Sequence, residues 1–88
     1  MAGFRERAFL VCRGGAGELS AGPVVTGSHD HVPMPQECPL GTRAIGVCHD
    51  HPPGDSIEPS DADVRETKDA GLEFVCVVFD GELKCYPV

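Results

Sequence analysis

Residues 42–63 constrain this chain more than any other stretch. They open with Thr42-Arg-Ala-Ile-Gly-Val-Cys48, in which Ala44, Ile45, Val47 and Cys48 are apolar on both strand faces, as a central strand requires. His49-Asp50-His51 follows directly. A proline- and glycine-rich loop occupies 52–59, and Ser60-Asp61-Ala62-Asp63 comes next. Ser60 is a good N-cap, Pro59 precedes it, and Gly71 is a good residue to follow a helix, so a helix is expected over 60–70. The order strand, His-x-His, loop, helix start is therefore written locally. In a strand, residues i and i+2 point the same way, so His49 and His51 converge while Asp50 points elsewhere. Cys48 faces opposite to His49 and reads as core.

Two imidazoles at a strand end then face a carboxylate in the first helical turn. Alone, each half has a plain explanation. His-x-His can be two surface histidines, and Ser60 with Asp63 can be a capping box. Together they form a divalent metal set, zinc by preference: His49, His51 and Asp63 as three protein ligands with a position left for water. That is the donor pattern of a hydrolase. Ser60 lies one helical turn before Asp63, on the same side, and its hydroxyl can donate to a developing oxyanion.

The rest of the chain reads as short strands and turns. Eleven glycines and eight prolines in 88 residues imply many of them. Residues 8–12 form a buried strand closed by a glycine turn. Residues 18–26 are ambiguous, with Pro23-Val-Val-Thr26 strand-like and expected to pair antiparallel with the first strand. Three prolines, Pro33, Pro35 and Pro39, rule out a regular helix over the long loop 27–41. Residues 73–79 read as a second central strand. Asp80-Gly81 has the chemistry of a two-residue type I′ turn, and 82–86 complete a half-exposed hairpin. The expectation is a single α+β domain over 1–88, with one main helix packed on a mixed sheet.

The formal charge of −7 disfavours nucleic-acid binding, which needs a basic surface. The longest apolar run, 74–79, is too short to span a membrane. No signal peptide is read at the start, and a cytoplasmic protein is expected. The cysteines, Cys12, Cys38, Cys48, Cys76 and Cys85, are odd in number and lack a C-x-x-C. They are expected to be mostly free, buried thiols in a reducing compartment, with a disulfide in a thermophile's cytoplasm as the alternative. A chain this short has a small core, to which a bridging metal or a homodimer contact would add stability.

The pattern H-x-H-P, a Pro/Gly loop, then P-S-x-x-D resembles the JAMM (MPN+, JAB, Mov34-type) zinc metallopeptidases, and also the RadC-like proteins related to them. The eight residues of 52–59 are one more than the usual spacing. The resemblance implies a reduced JAMM/MPN, cytidine deaminase-like fold in a minimal prokaryotic form, with the proline loop where the family has a helix. It implies zinc on His49, His51 and Asp63, with Ser60 assisting the tetrahedral intermediate. Glu6, placed before an apolar strand, would be the general base, with Glu18 its rival. The activity implied is peptide or isopeptide hydrolysis, deubiquitinase-like, at the C-terminal tail of a ubiquitin-like or sulfur-carrier protein. The other reading is a non-catalytic, metal-stabilised binding or scaffold module. A second H-D-H, His29 to His31, has no S-x-x-D after it. It reads as incidental, or else as an adventitious metal site or a substrate-facing loop.

Overall fold

A computed structural model describes residues 3–88. Six strands form one mixed sheet and one short helix packs on it, an α+β arrangement. The strands are β1 (Arg7–Gly14), β2 (Leu19–Ala21), β3 (Val25–Thr26), β4 (Thr42–Asp50), β5 (Phe74–Phe79) and β6 (Glu82–Pro87), and the helix is α1 (Asp61–Asp69). The sheet order is β2-β1-β4-β5-β6, with β3 also on β1. The ambiguous segment before the proline loop therefore supplies two short strands rather than one. Both run antiparallel to β1.

Strands β4 and β5 are parallel and flank α1 in sequence, giving a βαβ unit. Both ends of the helix are set by local chemistry. The Ser60 hydroxyl accepts the Asp63 N–H at 3.1 Å, and the Asp63 carboxylate accepts the Ser60 N–H at 2.9 Å, closing a capping box. At the far end, the Gly71 N–H donates to the Lys68 carbonyl and the Leu72 N–H to the Thr67 carbonyl. This Schellman pattern needs the left-handed backbone of Gly71, at φ 75°. The chain then enters β5, and the Glu73 N–H joins the Ile45 carbonyl at 2.8 Å. Asp80 and Gly81 both have positive φ, 52° and 77°, as the expected type I′ turn requires.

Ala8, Leu10, Cys12, Val47 and Val75 share one sheet face and form the core with Leu72. Val32, Met34 and Cys38 of the proline loop pack over it. So the loop covers the core edge, without regular structure between Thr26 and Thr42. The helix contributes little: Thr67 is its one buried side chain. In β4 the residues from Ile45 to His49 are all buried, as a central strand demands. Gly46 lies beside Phe74, whose ring occupies the space a Cβ would take. Strand β6 is more exposed than the alternation implied, with Leu83 and Cys85 both at the surface.

The expectation of mostly free thiols is corrected. Cys12 is bonded to Cys38, and Cys76 to Cys85, which leaves Cys48 as the free thiol. The first bond ties the proline loop to β1. The second joins residues paired directly across the β5–β6 hairpin, with Cα atoms 3.9 Å apart. Cys48 is buried as expected, and burial, with the neighbouring Asp50 charge, pushes its thiol up.

Candidate metal centre

The site lies past the carboxyl end of β4 and at the amino end of α1, where open α/β units commonly place their chemistry. His49 is inside β4. His51 is just beyond it, yet its N–H still donates to the Val78 carbonyl at 3.0 Å, extending the parallel ladder by one step. This extension keeps the two imidazoles on one side. Both are nearly buried. Their Nε2 atoms are 2.9 Å apart, and each approaches the same carboxylate oxygen, Asp63 Oδ2, at 3.2 Å from His49 and 3.3 Å from His51.

These three separations decide whether the donor set suits an ion. Ligand atoms about 2.05 Å from a tetrahedral zinc stand about 3.3 Å from one another. The triangle of 2.9, 3.2 and 3.3 Å is close to that face of a tetrahedron. Among the described residues, this trio is the group of metal-ligating side chains whose donor atoms all lie within 4.8 Å of one another.

The surroundings orient these donors. His51 Nδ1 lies 2.8 Å from the Ser56 carbonyl, which can only accept, so Nδ1 donates there and Nε2 is the ring nitrogen turned to the cluster. The Tyr86 hydroxyl donates to the Ile57 carbonyl at 3.1 Å, tying the 52–59 loop to β6. Burial opposes ionisation of Asp63, but hydrogen bonds from His49 and Ser60 outweigh it and hold the carboxyl well below the usual range. Asp63 is therefore an anion, as a ligand must be.

Glu6 lines the same 150 Å³ cavity as His51, Ser60 and Asp63. It precedes β1, and Ala8 pairs with His49 across the sheet. Three contacts fix its place. The Glu6 N–H donates to the Ser28 carbonyl, and the Glu6 carbonyl accepts the Gly27 N–H, both at 2.8 Å. Next to it, the Arg7 N–H and guanidinium grip the Asp50 carboxylate at 2.7 and 3.1 Å. This pairing explains why Asp50 turns away from the cluster. The Glu6 residue is only 7% exposed, and it lines the cavity wall beside Asp63. Burial pushes its carboxyl up; His49 and His51 pull it down, while Asp63 and Asp50 push it further up.

The rival, Glu18, is exposed and closes the turn after β1 on Gly14. Gly14 is six residues along the strand from Ala8, about 20 Å from the cluster. The structure thus gathers Glu6, His49, His51, Ser60 and Asp63, and separates Glu18. It also brings in residues of the second H-D-H. Asp30 and His31 line the cavity beside Glu6, because the turn that carries them is pinned to the Glu6 backbone. Asp55 and Glu66 complete an acidic rim. No sequence signal placed Asp30 and His31 there, since their position depends on the distant pairing of Gly27 and Ser28 with Glu6.

No helix among the described residues is long and apolar enough to cross a membrane. No protein-family model, curated protein or solved structure matches the chain.

Proposed function

We propose that the chain is a zinc-dependent metallopeptidase or isopeptidase of the JAMM type. The observation that carries this reading is the convergence of His49, His51 and Asp63, with His51 and Asp63 lining a cavity that also holds the Glu6 carboxylate and the helix-capping Ser60 hydroxyl. His49, His51 and Asp63 would hold the ion. A bound zinc would supply Lewis acidity and a water acidified toward neutral pH. Glu6 takes a proton at its carboxylate and hands it to the leaving amine; its raised proton affinity suits both steps. The Ser60 hydroxyl accepts the Asp63 N–H, which leaves its own O–H to donate to an oxyanion. By the resemblance, the substrate is the C-terminal tail of a ubiquitin-like or sulfur-carrier protein. Such a tail enters extended, and sheet edges accept extended strands.

The test pairs metal content with hydrolysis of a fluorogenic ubiquitin-like tail. Wild type binds about one zinc per chain and cleaves the tail. His51→Ala loses both properties. Cleavage unaffected by loss of bound zinc would overturn the reading.

One observation favours the second reading, a non-catalytic metal-stabilised module. Helix α1 buries only Thr67, so an ion shared between β4 and Asp63 would act as its main anchor. On that reading zinc raises the melting temperature and no tail is cleaved.

A further inference from the structure

The sheet register places three cysteines in one row. Cys48 of β4 is the direct partner of Cys76 of β5, and Cys76 is the direct partner of Cys85 of β6. Directly paired residues on neighbouring strands point to the same face. Cys76 and Cys85 are bonded, and Cys48 is the free thiol beside them. Neighbouring strands lie about 4.8 Å apart, within the Cα separation that a disulfide spans. Cys48 can therefore bond to Cys76 in place of Cys85 with little movement of the strands.

The order of the strands adds a directional argument. Because β5 lies between β4 and β6, Cys48 approaches Cys76 from the side opposite Cys85. Thiol–disulfide exchange needs this arrangement, with the attacking sulfur, the central sulfur and the leaving sulfur in a line. Exposure is graded along the row. Cys48 and Cys76 are buried, at 4% and 3%, and Cys85 is at the surface. Cys48 also borders an open 260 Å³ cavity lined by Phe9, Val24 and Val78, which gives its side chain room to turn.

We propose that Cys48, Cys76 and Cys85 form an internal thiol–disulfide exchange site that carries the chain's one free thiol from the interior to the surface. The Cys48 sulfur attacks Cys76 Sγ and gives up its proton in the exchange. A Cys48–Cys76 bond forms, the Cys76–Cys85 bond breaks, and the electron pair leaves on Cys85, which takes up a proton. One disulfide and one thiol exist before and after, so no oxidant or reductant is consumed. The product presents Cys85 to solvent as a thiol that reacts with soft electrophiles and with low-molecular-weight disulfides. The proposal rests on the register of β4, β5 and β6 and stands apart from the metal centre.

The test uses the intact chain, oxidised with glutathione disulfide and then freed of it. The native protein is held for hours with excess N-ethylmaleimide and no reductant, and its linkages are mapped by peptide mass spectrometry. The expected product carries the maleimide on Cys85 and a Cys48–Cys76 bond, with Cys12–Cys38 intact as the internal reference. The label on Cys85 is lost in Cys48→Ala. Label on Cys48 alone, or no label with Cys76–Cys85 intact, overturns the proposal. So does a chain in which Cys76–Cys85 never forms, or Cys85 labelling that persists in a folded Cys48→Ala. Should Cys48→Ala not fold, the wild-type map alone decides.

Discussion

Replacing Asp63 by Asn separates the two jobs of one oxygen. Asp63 Oδ2 accepts the Ser60 N–H that closes the helix cap, and it also meets both imidazoles. An amide oxygen can still accept the Ser60 N–H, but it gives up the charge that holds a cation. The loss to the metal-free protein is the difference between a charged and a neutral acceptor, about 1 kcal/mol. The loss to the zinc-bound protein is far larger. Zinc at a thousandfold its Kd stabilises the folded chain by about 4 kcal/mol. In a chain of this size each kcal/mol moves the melting temperature by about 5 °C. Wild type should therefore melt about 20 °C higher with zinc than after chelation. Asp63→Asn should melt about 5 °C below metal-free wild type and respond little to zinc. Ser60→Ala removes the other half of the same cap and costs about 1 kcal/mol, yet it should keep the zinc response. Differential scanning calorimetry with and without chelator reads all three proteins. Asp63→Asn with a full zinc response, or wild type with none, refutes the assignment of Asp63 as a ligand.

Other perturbations follow from the same contacts. Glu6→Gln should keep zinc but lower tail cleavage by about 10²–10⁴-fold, the usual worth of a general base, measured with the fluorogenic tail. The same variant tests the raised Glu6 carboxyl. A raised folded-state value adds stability below the ordinary carboxylate value of about 4.3, and that stability is lost as pH rises through the folded value. Metal-free wild type should thus lose stability relative to Glu6→Gln as pH climbs from about 4.3 toward neutral, read by urea unfolding at stepped pH. Tyr86→Phe removes the hydroxyl that holds the Ile57 carbonyl, frees the loop behind His51, and should weaken zinc about 10-fold in a competition titration. Gly46→Ala drives a methyl into the rigid Phe74 ring and should cost about 1–3 kcal/mol in urea unfolding.

The βαβ unit was legible because each boundary carries its own chemistry. Ser60 caps, Gly71 takes the left-handed turn, Asp80-Gly81 makes the hairpin, and His49 and His51 share a face by strand period alone. The Cys76–Cys85 bond was legible in principle too. A two-residue turn at Asp80-Gly81 places Cys76 opposite Cys85 by counting outward along both strands. Reasoning from the redox compartment pointed away from that pairing, although the turn already implied the contact. Cys12–Cys38 is different in kind. It depends on where a loop with three prolines crosses the sheet, and no local rule sets that path. The same holds for the split of 18–26 into β2 and β3, since both strands exist only through pairing with β1.

The two halves of the candidate site are therefore held by unlike means. The metal trio comes from 15 consecutive residues, 49–63, shaped by a strand end, a loop and a helix cap. Glu6 is more than forty residues away in sequence, and three long-range contacts bring it in: the β1–β4 ladder, the Arg7 grip on Asp50, and the clamp of Gly27 and Ser28 on its backbone. Segments of a fold open locally, with free energies that differ from one segment to the next. Fraying of the first residues of β1 would then remove the base while leaving the ligand set assembled. Zinc binding and hydrolysis should be separable in this chain, with binding the more robust of the two. The clamp also links Glu6 to the loop carrying Asp30 and His31, so whatever fills that wall of the cavity acts on the base through its backbone.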